Sequence, residues 1–567
     1  MKQHRHKKRF LRVLKYSGLS LLILIGGGII YFFQAIKMSP PEVNFKEVSD
    51  EDVACLAEDF YGLKNNRLRK NKEGLWELYI EGKPYERGYY AGKLTKELMR
   101  KQEKAFVEEI KKMIPSEAFL NRLKYLTSWF NRHMDEYVPK ELLQEIYGIS
   151  QSAPKEFEFV GEAYKRMLNY HAAHDIGHAL EGFLKAGCTS FVVNHRKSAD
   201  GHLLAGRNFD FYVGDQFAEE KIVTFMNPEK GHKFVEITWG GFIGTVSGMN
   251  LEGLCVTMNA GKSEIPFSSA TPISLIAREI LQYASTIEEA YSIAKRRKAF
   301  VSEALLITSA QDDAAAIIEI TPKNCALYYP QTDLLMCANH FQSEELKNTE
   351  LNQENINESS SMYRYKRLRE LAASYDSMNC ADVAAVLRDQ KGKGGVAIGM
   401  GNEKNICQLI AHHSIIFRPD KRRFWISTSP WQLGKYICYD LDSVFAKFPG
   451  MKNNETLSEE NLQIAPDTFL LSSDFKNFMR YRDEKKIVEK AVAEEKFSEK
   501  MGKIAEDLPQ LNPNFYDAYR RCGDYFFAAK EFQKAEKYYR KALQKEIAWL
   551  GERRYIEKQL KKMRKEK

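Results

Sequence analysis

At Cys188 the hydrophobic period of this chain switches from the three-and-four spacing of helices to the alternation of strands. Upstream, residues 116–186 repeat apolar positions at three and four. Downstream, "CTSFVVNH" (188–195) and "HLLAGRNFDF" (202–211) flank "RKSADG", whose Asp200-Gly201 pair is a hairpin-turn signal. Short strand-like runs follow at 221–227, 233–239, 243–250 and 253–260, then a helical pair at 272–298. Further strands are expected at 304–309, 315–321, 325–330 and 422–430. Strand runs framed by helical blocks predict a layered α+β domain.

The flanks add three features. "YSGLSLLILIGGGIIYFFQAI" (16–36) is uncharged and long enough to cross a bilayer. Seven Lys and Arg precede it in residues 1–15, so the N-terminus is expected in the cytoplasm and residue 37 onward on the extracytoplasmic side of a single-pass membrane protein. Residues 37–75 read as a charged stalk. "YDAYRRCGDYFFAAKEFQKAEKYYRKALQ" (516–544) has tetratricopeptide-repeat spacing: small Gly523 and Ala535 allow two helices to approach, and Tyr519, Phe526 and Tyr539 fill the groove. The chain is thus divided into a basic terminus (1–15), an apolar anchor (16–36), a stalk (37–75), a layered domain (76–450), a helical linker (451–510) and repeat-like helices (511–567). A protein partner is expected to dock, if anywhere, on the last of these.

The charge is concentrated at the ends. Removing the +7 of residues 1–15 and the +5 of residues 549–567 from the net +9 leaves −3 for the remainder. A body so close to neutral does not suit nucleic-acid binding. Nine scattered cysteines without a CxxC pair suit neither a disulfide framework nor a zinc ribbon. The glycine-rich "QKGKGGVAIGMGNEKN" (390–405) lacks the strand, Gly-Lys-Ser/Thr and helix of a phosphate cradle, and is expected to be a flexible surface loop near the active site. No cofactor or metal is expected.

Gly187-Cys188 carries the chemistry. A thiol attacking the carbonyl of the preceding residue yields a thioester by an N-to-S shift, and hydrolysis then cuts the chain. Glycine leaves that carbonyl sterically open. After the cut Cys188 holds both a thiol and an α-amine of ordinary pKa ~8, so the nucleophile carries its own base. A hairpin centred between Ala199 and Asp200 sets Cys188 opposite residue 211 and Asp210 beside the new N-terminus. Arg207 then falls on the other strand face, and needs a bulge or its own reach to join the site. Upstream, "HAAHDIGH" puts His171, His174, Asp175 and His178 on one helical face. These could support the nucleophile or, in a competing view, ligate zinc.

Gly187-Cys188-Thr189-Ser190-Phe191 followed by Gly206-Arg207-Asn208-Phe209-Asp210 resembles the acyl-coenzyme A:6-aminopenicillanic acid acyltransferase-like family, whose members are autoproteolytic N-terminal-nucleophile (Ntn) enzymes. Choloylglycine hydrolases and penicillin V acylases are more distant relatives. "EGKPYERGYYAGKL" (81–94), "GMNLEGLCVTMNAG" (248–261), "MCANHF" (336–341), "SSSMYRYKRLREL" (359–371) and "RRFWISTSP" (422–430) continue the likeness over roughly residues 75–445. The resemblance implies a four-layer αββα sandwich, cut into pieces 76–187 and 188–450. It implies Cys188 as nucleophile, Arg207 and Asp210 as its positioning groups, and Asn259 and Asn339 as oxyanion donors. The implied substrate is a small N-acyl amide, and the implied reaction is hydrolysis or transfer of the acyl group to an amine. A chain acting chiefly as a scaffold through its C-terminal helices is the alternative from another class.

Overall fold

The computed structural model describes residues 2–45, 48, 51–113, 116–179, 185–263, 269–453 and 455–566. Two sheets stack face to face. The larger has, among the described residues, eleven strands in the spatial order Ala54–Ala57, Phe60–Leu63, Asn66–Lys70, Trp76–Gly82, Ile222–Pro228, Phe234–Thr238, Ser247–Asn250, Leu254–Ala260, Glu303–Ser309, Ala314–Ile320 and Cys325–Tyr328. The smaller has six: Leu334–Cys337, Thr189–His195, Gly201–Phe209, His413–Arg418, Arg423–Ser427 and Tyr436–Asp440. All pairings are antiparallel except Trp76–Gly82, which runs parallel to Ile222–Pro228.

The period-two pattern sorts side chains between layers. Val192, Ala205, Ile415 and Phe417 of the small sheet meet Phe225, Ile237, Leu306 and Ile317 of the large one in a shared core. Phe191, Val193, Leu204 and Ile416 point the other way, onto helices Ser361–Ala373 and Cys380–Leu387. The outer face of the large sheet is covered by helices that include Pro84–Leu94, Lys140–Ser150, Ile273–Tyr283 and Ile287–Arg296. The result is the expected α+β architecture in four layers, αββα.

The segment read as a stalk differs from expectation. Residues 54–70 form three strands at one edge of the large sheet, and Phe60 and Leu68 are buried. Their charge concealed them. Arg69 is fully enclosed and ion-paired with Glu77 at 2.6 Å, and Arg67 donates to the Met451 carbonyl at 2.6 Å. Buried charges need such partners.

At the N-terminus, one described helix has a stretch, Leu14–Ala35, long and apolar enough to cross a membrane, with a mean hydropathy of 1.9. At the other end, helices Ser473–Ala493, Glu499–Leu511, Tyr516–Ala528, Phe532–Leu543 and Leu550–Glu566 share one core. The expected linker 451–510 therefore contributes two helices to the C-terminal unit, through Phe478, Tyr481, Val488, Ala505 and Leu508. Gly523 lies beneath the Tyr539 ring, where an added Cβ would come within 2.8 Å of it. That close approach is what the small residue permits.

These helices cover the second half of the glycine-rich loop, residues 398–405, while residues 393–397 are exposed at the surface as expected. Asn512 accepts from the Met400 amide at 3.1 Å and donates to its carbonyl at 2.8 Å. Asn402 donates to the Glu546 carbonyl at 2.9 Å. Cys407 and Leu409, just beyond the loop, belong to the helical core.

Candidate active site

The hairpin register decides who meets Cys188. Thr189 pairs with Asn208 and Ser190 with Arg207, and the ladder slips at Val193–His195 so that His195 faces Gly201. The turn is a longer loop held by Met378, whose carbonyl accepts from the Ala199 amide, rather than a tight Asp-Gly turn. Gly187 therefore lies opposite Asp210, and its N–H donates to the Asp210 carbonyl at 3.0 Å. The expected pairing of Cys188 with residue 211 is corrected by that shift.

Parity removes the difficulty with Arg207. Opposite Ser190, it shares the face of Cys188 that looks toward the large sheet, as it would also with Cys188 opposite residue 211, and no bulge is needed. Its guanidinium lies 4.4 Å from the Phe209 ring centroid. One nitrogen donates to the Val246 carbonyl at 2.5 Å and to Ser247 Oγ; the other donates to the Met258 carbonyl and reaches Cys188 Sγ at 3.7 Å. Asp210 is the residue that leaves the ladder, just past the strand end at Phe209.

Ser247 carries the contact further. Arginine can only donate, so the Ser247 hydroxyl accepts from Arg207 and gives its own proton to His413 Nε2 at 2.8 Å. His413 Nδ1–H then donates to His412 Nδ1 at 2.9 Å. Burial holds both imidazoles well below their ordinary pKa, so both are neutral.

The main chain around Cys188 is clamped on both sides. Gln408 Nε2 donates to the Gly187 carbonyl at 2.6 Å and lies 3.3 Å from Asp210 Oδ2. Arg364 donates to the Cys188 carbonyl at 2.6 Å, to Thr189 Oγ1 at 2.8 Å and to Asn339 Oδ1 at 2.6 Å. Asn339 donates in turn to the Ala260 carbonyl at 2.9 Å. Asn259 sits one layer across: its Oδ1 accepts from Ser190 Oγ at 2.8 Å and its Nδ2 donates to the Cys337 carbonyl at 3.2 Å. Both asparagine amides expected as oxyanion donors are thus engaged with main-chain carbonyls.

Burial sets the electrostatics. It pushes the Cys188 thiol up, opposed by the Arg207 charge. It lifts Asp210 to about 7, against the pull of Arg364 and Arg207. Asp210 Oδ1 has no hydrogen-bond partner among the described residues. Arg364 is lowered by burial to about 10 and stays cationic. A thiol, a cation, a near-neutral carboxyl and a fixed carbonyl are the parts that acyl transfer to sulfur requires.

The histidine helix plays another part. His171 Nδ1–H donates to the Met167 carbonyl at 2.8 Å and Nε2 accepts from the Ile243 amide at 3.0 Å. The ring stacks on Phe242 at 4.8 Å, and burial lowers its pKa to about 4. Both nitrogens are used in packing and neither is open to a metal. The side chains of His174, Asp175 and His178 lie outside the described residues.

Residues 196–429 match the acyl-coenzyme A:6-aminopenicillanic acid acyl-transferase family. The acyl-transferase match begins downstream of Cys188 and contains Arg207, Asp210, Asn259, Asn339, Arg364 and Gln408. An uncharacterized protein of Archaeoglobus fulgidus is 25% identical over 310 residues, 49% of this chain and 52% of that one. Protein dcd1B of Dictyostelium discoideum is 23% identical over 263 residues, 43% of this chain and 50% of its own. The chain spans about half the length of these curated relatives. Among solved structures, an N-acylethanolamine-hydrolyzing acid amidase ortholog from Caenorhabditis elegans is 16% identical, with a TM-score of 0.29, covering 41% of this chain and 93% of that one. Penicillin V acylase from Agrobacterium tumefaciens is 16% identical, with a TM-score of 0.30, covering 45% and 86%.

The acyl-transferase-like motifs pointed to most of the cluster, yet Arg364, Gln408 and Ser247 went without roles. Arg364 was visible as a basic residue on the buried face of "MYRYKRLREL", together with Arg367 and Leu368. Gln408 had no signal, since it follows a loop whose burial depends on helices more than a hundred residues away.

Proposed function

We propose that this chain is a self-processing Ntn amidohydrolase that attacks a linear N-acyl amide through Cys188. The observation that carries this is the clamped Gly187–Cys188 peptide unit, with the thiol beside Arg207 and Asp210. Cys188 Sγ attacks the Gly187 carbonyl carbon, the C–N bond breaks, and the thiol proton passes to the departing amine. Water then hydrolyses the thioester. The ammonium so created is the natural partner for Asp210 Oδ1. In turnover the free amine takes the thiol proton, the thiolate attacks the substrate carbonyl, and the protonated amine of the substrate leaves. Arg207 steadies the sulfur's charge.

An apolar cleft lined by Met99, Phe106, Met167, Phe217, Trp239 and Phe242 supports an apolar acyl group. Phe211, also on its wall, pairs with Ala186 immediately ahead of the proposed cut. The basic flank of the apolar helix supports a cytoplasmic N-terminus with the catalytic layers on the extracytoplasmic side. A second reading, acyl transfer to an amine, is favoured by the family that residues 196–429 match.

Intact mass and N-terminal sequencing test the proposal. The wild-type chain of 65.5 kDa should yield a fragment beginning at Cys188, and Cys188→Ala should abolish both cutting and turnover of N-acyl amides. Turnover by Cys188→Ala at the wild-type rate would refute the assignment. Adding a primary amine and weighing the products separates hydrolysis from transfer.

A further inference from the structure

We infer that Gln408 is the donor that holds the oxyanion during cutting of the Gly187–Cys188 bond, and that after the cut the same amide serves to hold Asp210. This rests on the proposed role of Cys188 in self-cleavage. The two carbonyls flanking the cysteine go to different donors: Arg364 takes that of Cys188, and Gln408 takes that of Gly187 at 2.6 Å. Only the second becomes tetrahedral when Sγ attacks. Among the described residues no other donor reaches that oxygen.

The approach of Gln408 explains the glycine. A Cβ at residue 187 would come within 2.5 Å of Gln408 Nε2 and 2.6 Å of its Oε1. An alanine would therefore push away the amide that binds the carbonyl. Gln408 is itself buried and its loop is fixed. Asn208 donates to the Leu387 carbonyl at 2.8 Å and to the Ile406 carbonyl at 3.0 Å. The Cys407 amide donates to the Asp389 carbonyl at 2.8 Å. Asn208 belongs to the hairpin strand that carries Arg207 and faces Thr189. One strand thus positions the thiol's cation and, through Asn208, the carbonyl's donor.

Sγ–C bond formation sends the carbonyl π pair to oxygen, where the Gln408 N–H meets it. Collapse expels the Cys188 nitrogen, which takes the thiol proton, and water converts the thioester to a Gly187 carboxylate and a free thiol. Departure of the Gly187 carbonyl leaves Gln408 Nε2 with Asp210 Oδ2, already 3.3 Å away.

The test is the rate of fragment appearance, followed by intact mass, in freshly synthesised full-length chains. Gln408→Met keeps the volume and removes the donor, and should cut on the order of 100-fold more slowly than wild type, the loss typical of a missing oxyanion donor. Hydroxylamine, which cleaves a thioester once formed, should not restore the rate. Cutting at the wild-type rate, or full rescue by hydroxylamine, would overturn the assignment. Gly187→Ala leaves Gln408 in place and displaces only its amide; it should be slowed as well, and wild-type cutting by it would equally count against the role. Circular dichroism and thermal unfolding verify that each variant is folded. A wild-type chain that never cuts would overturn the underlying proposal and this role with it.

Discussion

Asp210 is enclosed, has one oxygen without a hydrogen-bond partner among the described residues, and is lifted by burial from its ordinary 3.8 to about 7. Burial is the main cause: the carboxylate is costly there, and the charges of Arg364 and Arg207 offset only part of that cost. Between pH 3.8 and about 7 the unfolded chain loses this proton while the folded chain keeps it. Native stability therefore falls as pH rises through that window, and levels off above it. In an uncut Cys188→Ala background, adding Asp210→Asn should leave the thermal midpoint near that of its parent at pH 4. It should raise the midpoint increasingly toward pH 8, and a constant difference across the range would contradict the shift. At this scale the sequence showed what lies along one strand: Cys188, Arg207 and Asp210 share a single hairpin. The face of Arg207 was readable by parity, since a two-residue register shift leaves every side chain on its own face; the shift changed only which residue stands opposite Cys188. Ser247, Arg364 and Gln408 join the cluster from three separate segments, through Arg207, the Cys188 carbonyl and the Gly187 carbonyl, and no local pattern couples them to it.

Among elements, the strands after Cys188 were legible as short apolar runs bounded by turn residues, the pattern that burial on both faces leaves. The three edge strands of residues 54–70 were not, since Arg67 and Arg69 satisfy their charges inside the protein and look like solvent-facing residues in the sequence. The glycine-rich loop was exposed as expected over residues 393–397 and misled only over residues 398–405. That second half is buried by the C-terminal helices that lie over it. Asn512 is the fastening, with two hydrogen bonds to Met400 and almost no solvent contact. Asn512→Ala should lower stability by about 1–3 kcal/mol, the cost of stranding buried main-chain groups. Because the same loop leads to Gln408, this substitution should also slow chain cutting. Lowered stability with cutting at the wild-type rate would show that the helices brace the fold without bearing on the site.

For the molecule as a whole, the position of the proposed cut matters more than its chemistry. Residues upstream of Gly187 supply four strands of the large sheet, and Trp76–Gly82 lies in parallel register along Ile222–Pro228, which falls on the other side of that cut. Leu78 and Ile80 are buried on this seam, and each such side chain is worth about 1.5–3 kcal/mol. The two fragments should separate on a denaturing gel yet elute as one species in native buffer at the mass of the intact chain. Elution as two species would show that the seam does not hold. Under the proposed cut, this seam would make the break a change of termini and not of composition. The apolar helix at the chain's start would stay moored, through a shared sheet and without a covalent link, to a cysteine on a different polypeptide. Whatever surface receives that helix would then keep the Cys188 thiol at a fixed address, and only loss of the fold would set it loose.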